Sequence, residues 1–173
     1  MNILVLGGYG NFGTRICKAL AGHPQIHLLI AGRNASKAQA LADTVGHHTQ
    51  GVPLDHEAPD LAQQLRALDI GLVIHTAGPF QAQDYGVAQA AAQAGCHYID
   101  LADGRRFVCD FPAAMHGAFS SAGRTAVTGA STVPALSSAV VDALCSGWRS
   151  IDTIDICIAP AQRAPRGEAT LAA

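Results

Sequence analysis

The sequence predicts an α/β fold, a doubly wound parallel sheet with strand order 3-2-1-4-5-6. Three observations predict it. Short apolar runs of strand length alternate with longer stretches of helical periodicity from the second residue onward. Glycines and prolines that stop helices punctuate them at short intervals. The first apolar run, Ile3-Leu4-Val5-Leu6, passes directly into Gly7-Gly8-Tyr9-Gly10-Asn11-Phe12-Gly13. A strand, a tight glycine turn and a helix in that order open such a sheet.

The first strand covers Asn2–Leu6. Phe12, Ile16 and Leu20 then recur every four residues and predict a helix over 11–21. Gly22-His23-Pro24 stops it, because glycine suits the C-terminal position and proline cannot continue the helix. A second strand follows over 26–31 and a second helix over 36–45, ended by Gly46. The third strand, 49–54, is weaker, and Pro59 sits in the first turn of a helix over 59–68. The fourth strand, 71–76, is a continuous apolar run, as expected of a strand covered on both faces. Asp84 caps a helix over 85–94 that Gly95 ends. The fifth strand spans 97–101. A short helical piece over 105–109 leads into a helix over 112–122, and a sixth strand takes 125–128. The last helix, 135–145, carries the stripe Leu136, Val140, Val141 and Leu144.

The pattern then changes. Ile154, Ile156 and Ile158 fall on one face of an extended segment, with Asp155 and Cys157 on the other. Such alternation predicts a strand over 151–158 with one wetter face. Residues 1–149 are therefore expected to form one domain, and 150–173 to open a second α/β domain that is cut off. The alternative is that this strand joins the first sheet.

Composition narrows the function classes. Of 173 residues, 49% are hydrophobic and 14% charged, with a net charge of −2, so no basic footprint for nucleic acid is expected. Five cysteines without a C-x-x-C pair read as thiols in a reducing compartment. The eight histidines are scattered along the chain, and no metal is expected. Neither a leader segment nor a membrane-length apolar run is visible, so a cytoplasmic protein without membrane contact is the expectation.

The glycines carry the chemistry. Gly8, Gly10 and Gly13 satisfy G-x-G-x-x-G, and Gly7, Gly10 and Gly13 satisfy G-x-x-G-x-x-G. One glycine makes the tight turn, one lets a dinucleotide approach, and one allows close helix–strand contact. A strand before and a helix after favour a pyrophosphate site over Gly7, Gly8, Tyr9, Gly10, Asn11, Phe12 and Gly13, against a glycine-rich turn with no ligand.

Cofactor choice is read at the end of the second strand, Ala31-Gly32-Arg33-Asn34. An NAD site usually carries an acid there for the ribose 2′-OH, and none is present. Arg33 suits an adenosine 2′-phosphate, and Lys37 adds charge, so NADP is expected over NAD. The bland alternative leaves Arg33 at a strand end in solvent. Asp55 either accepts from the adenine amino group or caps a turn. Ala77, Gly78 and Pro79 follow the fourth strand at the switch point of the sheet, where small residues let a nicotinamide ribose approach. His75 reads as an inward strand residue rather than a base. Asp100, Asp103 and Arg105 follow the fifth strand and are candidates to face a substrate, with an arginine able to clamp a carboxylate. Their alternative is an ion-paired loop. No Tyr-x-x-x-Lys pair and no G-x-S-x-G elbow occur.

Together, Gly7 to Gly13, Ala31-Gly32-Arg33, Thr76-Ala77-Gly78-Pro79-Phe80 and Cys96-His97-Tyr98-Ile99-Asp100-Leu101 resemble the N-terminal Rossmann domain of saccharopine dehydrogenase-like oxidoreductases. Gly129-Ala130-Ser131-Thr132-Val133-Pro134-Ala135-Leu136-Ser137 fits the same pattern. The resemblance implies that Gly8, Gly10, Gly13 and Arg33 hold the dinucleotide and that Ala77 to Phe80 lie along it towards the nicotinamide. It also implies a substrate groove built largely by a second domain. The expectation is an NADP-dependent oxidoreductase acting on a small molecule, an amino acid or oxoacid, with a homodimer as a candidate assembly. The isolated chain is expected to be inactive. The alternative is a non-catalytic NADP(H) sensor or scaffold module.

Overall fold

The computed structural model describes residues 1–159. Six strands form one parallel sheet: β1 (Asn2–Leu6), β2 (His27–Gly32), β3 (Gln50–Pro53), β4 (Ile70–His75), β5 (His97–Asp100) and β6 (Ala126–Val127). Their order is β3-β2-β1-β4-β5-β6, as the sequence predicts. The helices are α1 (Asn11–Leu20), α2 (Ala35–Val45), α3 (Leu61–Ala67), α4 (Gly86–Ala94), α5 (Arg105–Ala122) and α6 (Ser137–Leu144). A π-type turn, Thr132–Leu136, leads into α6. Among these described residues no helix is long and apolar enough to cross a membrane.

The continuous apolar runs follow from burial of both sheet faces. Ile3, Val5, Leu28 and Ile30 pack against Cys17 of α1 and Ala38 and Ala42 of α2. Leu4, Leu6, Leu29, Val73 and Tyr98 face the other way, towards α3, α4 and α5. The alanines of α4, Ala88, Ala91 and Ala92, are buried there and let the helix lie close to the sheet. The reversal of strand order between β1 and β4 opens the carboxyl edge of the sheet above Leu6 and His75, which are register partners.

Several elements depart from the sequence expectations. Helix α3 begins at Leu61 with Asp60 as its N-cap residue, so Pro59 lies in the preceding turn and not in the first helical turn. Tyr85 takes the N-cap position of α4, and Asp84 instead accepts the Gly86 N–H at 2.8 Å from one residue further out. The piece over 105–109 and the helix over 112–122 are one helix running through Pro112. Phe107, Phe111, Met115 and Phe119 form one buried stripe across that proline. Burying four large side chains at about 1.5–3 kcal/mol each outweighs the ~3 kcal/mol an interior proline costs.

The C-terminal part differs most. No residue of α6 is buried, and Leu136, Val140 and Leu144 of its stripe are exposed. Residues 151–159 form no strand, and none of the six strands pairs with them. The rest of the expected second domain, 160–173, lies outside the described residues.

Candidate functional site

The glycine turn is built as the motif requires, with the labour divided among its glycines. Gly7 sits at φ +78°, and a Cβ there would meet the Ala77 backbone nitrogen at 2.9 Å. Gly8 is packed between Val5 O and Ile30 Cγ2, which a Cβ would meet at 2.8 and 2.9 Å. Gly13 presses α1 onto the turn, with Gly7 O and Gly8 Cα inside contact distance of a Cβ. At Gly10 a Cβ would meet only Gly7 O, at 3.0 Å. Gly10 is thus the glycine that leaves the cleft open.

The backbone donors divide in the same way. Gly7 and Gly8 N–H both donate to Ala31 O, at 2.9 and 3.1 Å, and Gly10 N–H donates to Gly7 O at 2.9 Å. Those three amides shape the turn. The first helical bond of α1 runs from Thr14 N–H to Gly10 O. The amide dipoles of the first turn of α1 therefore point into the cleft, the arrangement that attracts a phosphate.

The cleft encloses about 390 Å³ and is lined by Leu6, Gly7, Tyr9, Gly10, Asn11, Phe12, Gly32, Arg33, Leu54, His56, Thr76, Ala77 and Gly78. Phe12 heads the apolar repeat of α1 yet is 57% exposed, because it stands at the cleft and not over the core. Thr76 Oγ1 donates to Leu6 O at 2.9 Å, joining the ends of β1 and β4 beneath the cleft. Gln83 Nε2 donates to Ala77 O at 2.7 Å and to Pro79 O at 3.0 Å, bracing the small-residue loop. Pro79 itself is exposed and does not line the cleft. A wider groove of about 570 Å³ lies between α3 and α4 and shares only His56 with the cleft.

At the β2 end, Arg33 lines the cleft, while Asn34 and Lys37 do not. Asn34 caps α2, its Oδ1 accepting the Lys37 N–H at 2.9 Å. Asp55 Oδ1 accepts the Glu57 N–H at 3.1 Å, the turn-cap contact that one of its two readings expects. The neighbouring His56 faces the cleft instead. Five lining residues, Leu6, Gly32, Leu54, His56 and Thr76, are not among the candidate contacts that the sequence supplies. The carboxyl-edge rule points to the right places, but a periodicity this short cannot tell which of two adjacent loop residues turns inward.

The residues after β5 serve different ends. Asp100 is fully buried, and its Oδ1 accepts from Ala102 N–H (3.0 Å), Thr128 Oγ1 (3.0 Å) and Gly129 N–H (2.8 Å). Asp103 is exposed and accepts from Gln81 Nε2 at 3.2 Å, and Arg105 is an exposed first residue of α5. None of the three lines the cleft. Beside Asp100, His75 Nδ1 lies 3.1 Å from the Tyr98 hydroxyl. Burial, and then the neighbouring His56, hold the His75 imidazole down to about 3. Burial, and then the Asp100 charge, push the Tyr98 phenol above its ordinary range. His75 is thus a neutral core residue, as an inward strand position implies.

The lining of the cleft is compatible with NADP(H). Arg33 stands among its lining residues, and no aspartate or glutamate does.

Residues 3–127 match the family model of the saccharopine dehydrogenase NADP binding domain. No curated protein matches the chain. Among solved structures, apo saccharopine dehydrogenase (L-Glu forming) from Saccharomyces cerevisiae is similar with a TM-score of 0.62 and 20% identity, over 82% of this chain and 31% of that one. A beta-ketoacyl-ACP reductase from Bacteroides thetaiotaomicron is similar at 0.55 and 10% identity, over 74% of this chain and 75% of that one. Biliverdin reductase from Synechocystis, in complex with biliverdin and NADP+, is similar at 0.52 and 18% identity, over 73% and 37%. At these identities the likeness shows the fold. The chain spans 31% of the length of the yeast enzyme.

Proposed function

The chain belongs to the family of saccharopine dehydrogenase NADP-binding domains, and from that premise we propose that it is the cofactor-binding part of an NADP(H)-dependent oxidoreductase. The observation that carries the reading is a glycine-walled cleft holding Arg33 and no carboxylate. Bound NADP(H) supplies the hydride chemistry. The chain's own residues bind and orient. The first turn of α1 attracts the pyrophosphate, Gly10 leaves room for it, and Arg33 pairs with the 2′-phosphate. Ala77 and Gly78, just after β4, would leave room for the nicotinamide ribose.

The substrate class this reading favours is an amino acid or oxoacid. Arg105 and Asp103, both exposed after β5, are its candidate contacts for a carboxylate and an amine. Asp100 acts as a brace. Five free thiols support a cytoplasmic setting, and a homodimer would cover the exposed apolar face of α6. The second reading is a non-catalytic NADP(H) sensor, favoured by one observation: Asp100, Asp103 and Arg105 all stand outside the cleft.

Calorimetric titration with NADPH and NADH tests the proposal. NADPH is expected to bind more tightly. Arg33→Ala is expected to weaken NADPH by about tenfold or more, since a charge-assisted hydrogen bond is worth about 1.5–3 kcal/mol, and to leave NADH nearly unchanged. Equal binding of the two by the unmodified protein overturns the assignment. A screen of amino acids and oxoacids for NADPH turnover by the full-length protein then separates enzyme from sensor.

A further inference from the structure

Arg33 is the one guanidinium or ammonium group among the described residues lining the cleft. The side chain that holds its turn comes from a different part of the sequence. Tyr9, in the middle of the glycine turn, lays its ring across Gly32 at the end of β2. A Cβ on Gly32 would lie 2.5 Å from Tyr9 Cε1 and 2.8 Å from its hydroxyl oxygen, so position 32 accommodates this ring only as glycine. Beyond the ring, the Tyr9 hydroxyl accepts the Asn34 N–H at 3.1 Å. Arg33 is thus clasped on both sides, by ring packing on the residue before it and a hydrogen bond to the residue after it. The Asn34 side chain is engaged in capping α2, and Gly32 O accepts the Leu54 N–H at 3.1 Å. Tyr9 and Arg33 line the same cleft.

We propose that Tyr9 is a positioning residue that determines cofactor specificity. By bridging the phosphate-binding turn to the β2–α2 turn, it fixes where Arg33 meets the 2′-phosphate and so sets the preference for NADP(H) over NAD(H). This rests on the NADP(H) reading above. The physical basis is preorganisation: a charged side chain on a turn already held in place loses less freedom when its ligand arrives. A ligand without a 2′-phosphate makes no use of that placement.

The test is a double-mutant cycle on the whole chain, using Tyr9→Phe, Arg33→Ala and the pair, with NADPH and NADH titrated against each. Tyr9→Phe keeps the ring on Gly32 and removes only the bond to an exposed amide that water then satisfies, so the thermal midpoint is expected to stay unchanged. The ratio of NADPH to NADH affinity is expected to fall by about fivefold. In the Arg33→Ala background, Tyr9→Phe is expected to have no further effect on NADPH. Gly32→Ala, which displaces the ring, is expected to give the same loss of discrimination. The proposal is overturned if Tyr9→Phe leaves the NADPH-to-NADH ratio unmoved, if it weakens both cofactors equally, or if its effect persists in full without Arg33. An unmodified protein with no NADPH preference is a separate result, which overturns the NADP(H) reading and this proposal together.

Discussion

Asp100 Oδ1 accepts the Gly129 N–H at 2.8 Å and so ties the end of β5 to the loop that leaves β6. The same oxygen takes the Ala102 N–H and the Thr128 hydroxyl, both at 3.0 Å. One buried carboxylate thereby satisfies two backbone donors that no water reaches, since Asp100 is 0% exposed. Asp100→Ala is expected to lower stability by about 3 kcal/mol or more, because it strands those donors. Asp100→Asn keeps an acceptor oxygen and is expected to lose less. Urea unfolding measures both. A catalytic role would give the opposite pattern, with stability unmoved and Asn as harmful as Ala.

Two glycines of the same motif are expected to fail differently. Gly10 has φ −73° and a single close neighbour, Gly7 O at 3.0 Å from where a Cβ would stand, so Gly10→Val is expected to leave a folded domain and fill the space the pyrophosphate needs. Gly13 has the Gly8 Cα only 2.7 Å from where a Cβ would stand, so Gly13→Ala must push α1 off the turn. The expected outcome is loss of NADPH binding in a domain that still folds for Gly10→Val, and a more strongly lowered melting midpoint for Gly13→Ala. Unchanged NADPH affinity in Gly10→Val would sink the assignment of the cleft.

The legible parts of the fold share one physical cause. Strands β1, β2 and β4 are buried on both faces, so nearly every residue in them is apolar, and a run of that kind is visible without a structure. The glycine turn was legible because each glycine answers a steric demand. The stripe of α6 predicts the helix and not its burial. Leu136, Val140 and Leu144 carry helical periodicity, but periodicity records that a face is apolar and not what covers it, and these side chains are 59%, 47% and 73% exposed. Asp100 and Asp103 look equivalent as letters beside the nicotinamide end of the sheet. Strand alternation turns Asp100 inward beside Tyr98 and His75, while Asp103 lies past the strand end in solvent.

The five thiols are expected to separate by reactivity. Burial pushes Cys17 up to about 12 and Cys96 to about 11, and Cys17 Sγ also lies 3.7 Å from Gly8 O beneath the glycine turn. The thiolate is the reacting species, so both are inert in the native protein near pH 8. Cys109 and Cys157 are exposed and Cys145 is half-buried. An aromatic disulfide reagent is expected to label Cys109 and Cys157 quickly, Cys145 more slowly, and Cys17 and Cys96 only after denaturant is added. Fast native labelling of Cys17 would show that the turn above it opens readily.

His75 is expected to shape the acid limb of stability. Its ring is buried against Phe80 and Tyr98, with centroids 5.0 and 6.3 Å away, and burial holds its imidazole down to about 3 from an ordinary 6.5. The unfolded chain takes up a proton on this histidine as pH falls through about 6.5, whereas the native state stays neutral to about 3. Between those values the unfolded state binds more protons, so stability falls as pH falls, by at most about 1.4 kcal/mol per pH unit from this group. Carboxylates add their own loss below about pH 5, so the contribution of His75 is read between about 6.5 and 5. His75→Gln removes the proton site and keeps a partner for the Tyr98 hydroxyl. Urea unfolding at pH 7, 6 and 5 is expected to show a shallower decline for His75→Gln than for the unmodified protein. Equal slopes would mean that the ring is reached by a proton in the native state, through opening of the carboxyl edge at which His56 stands.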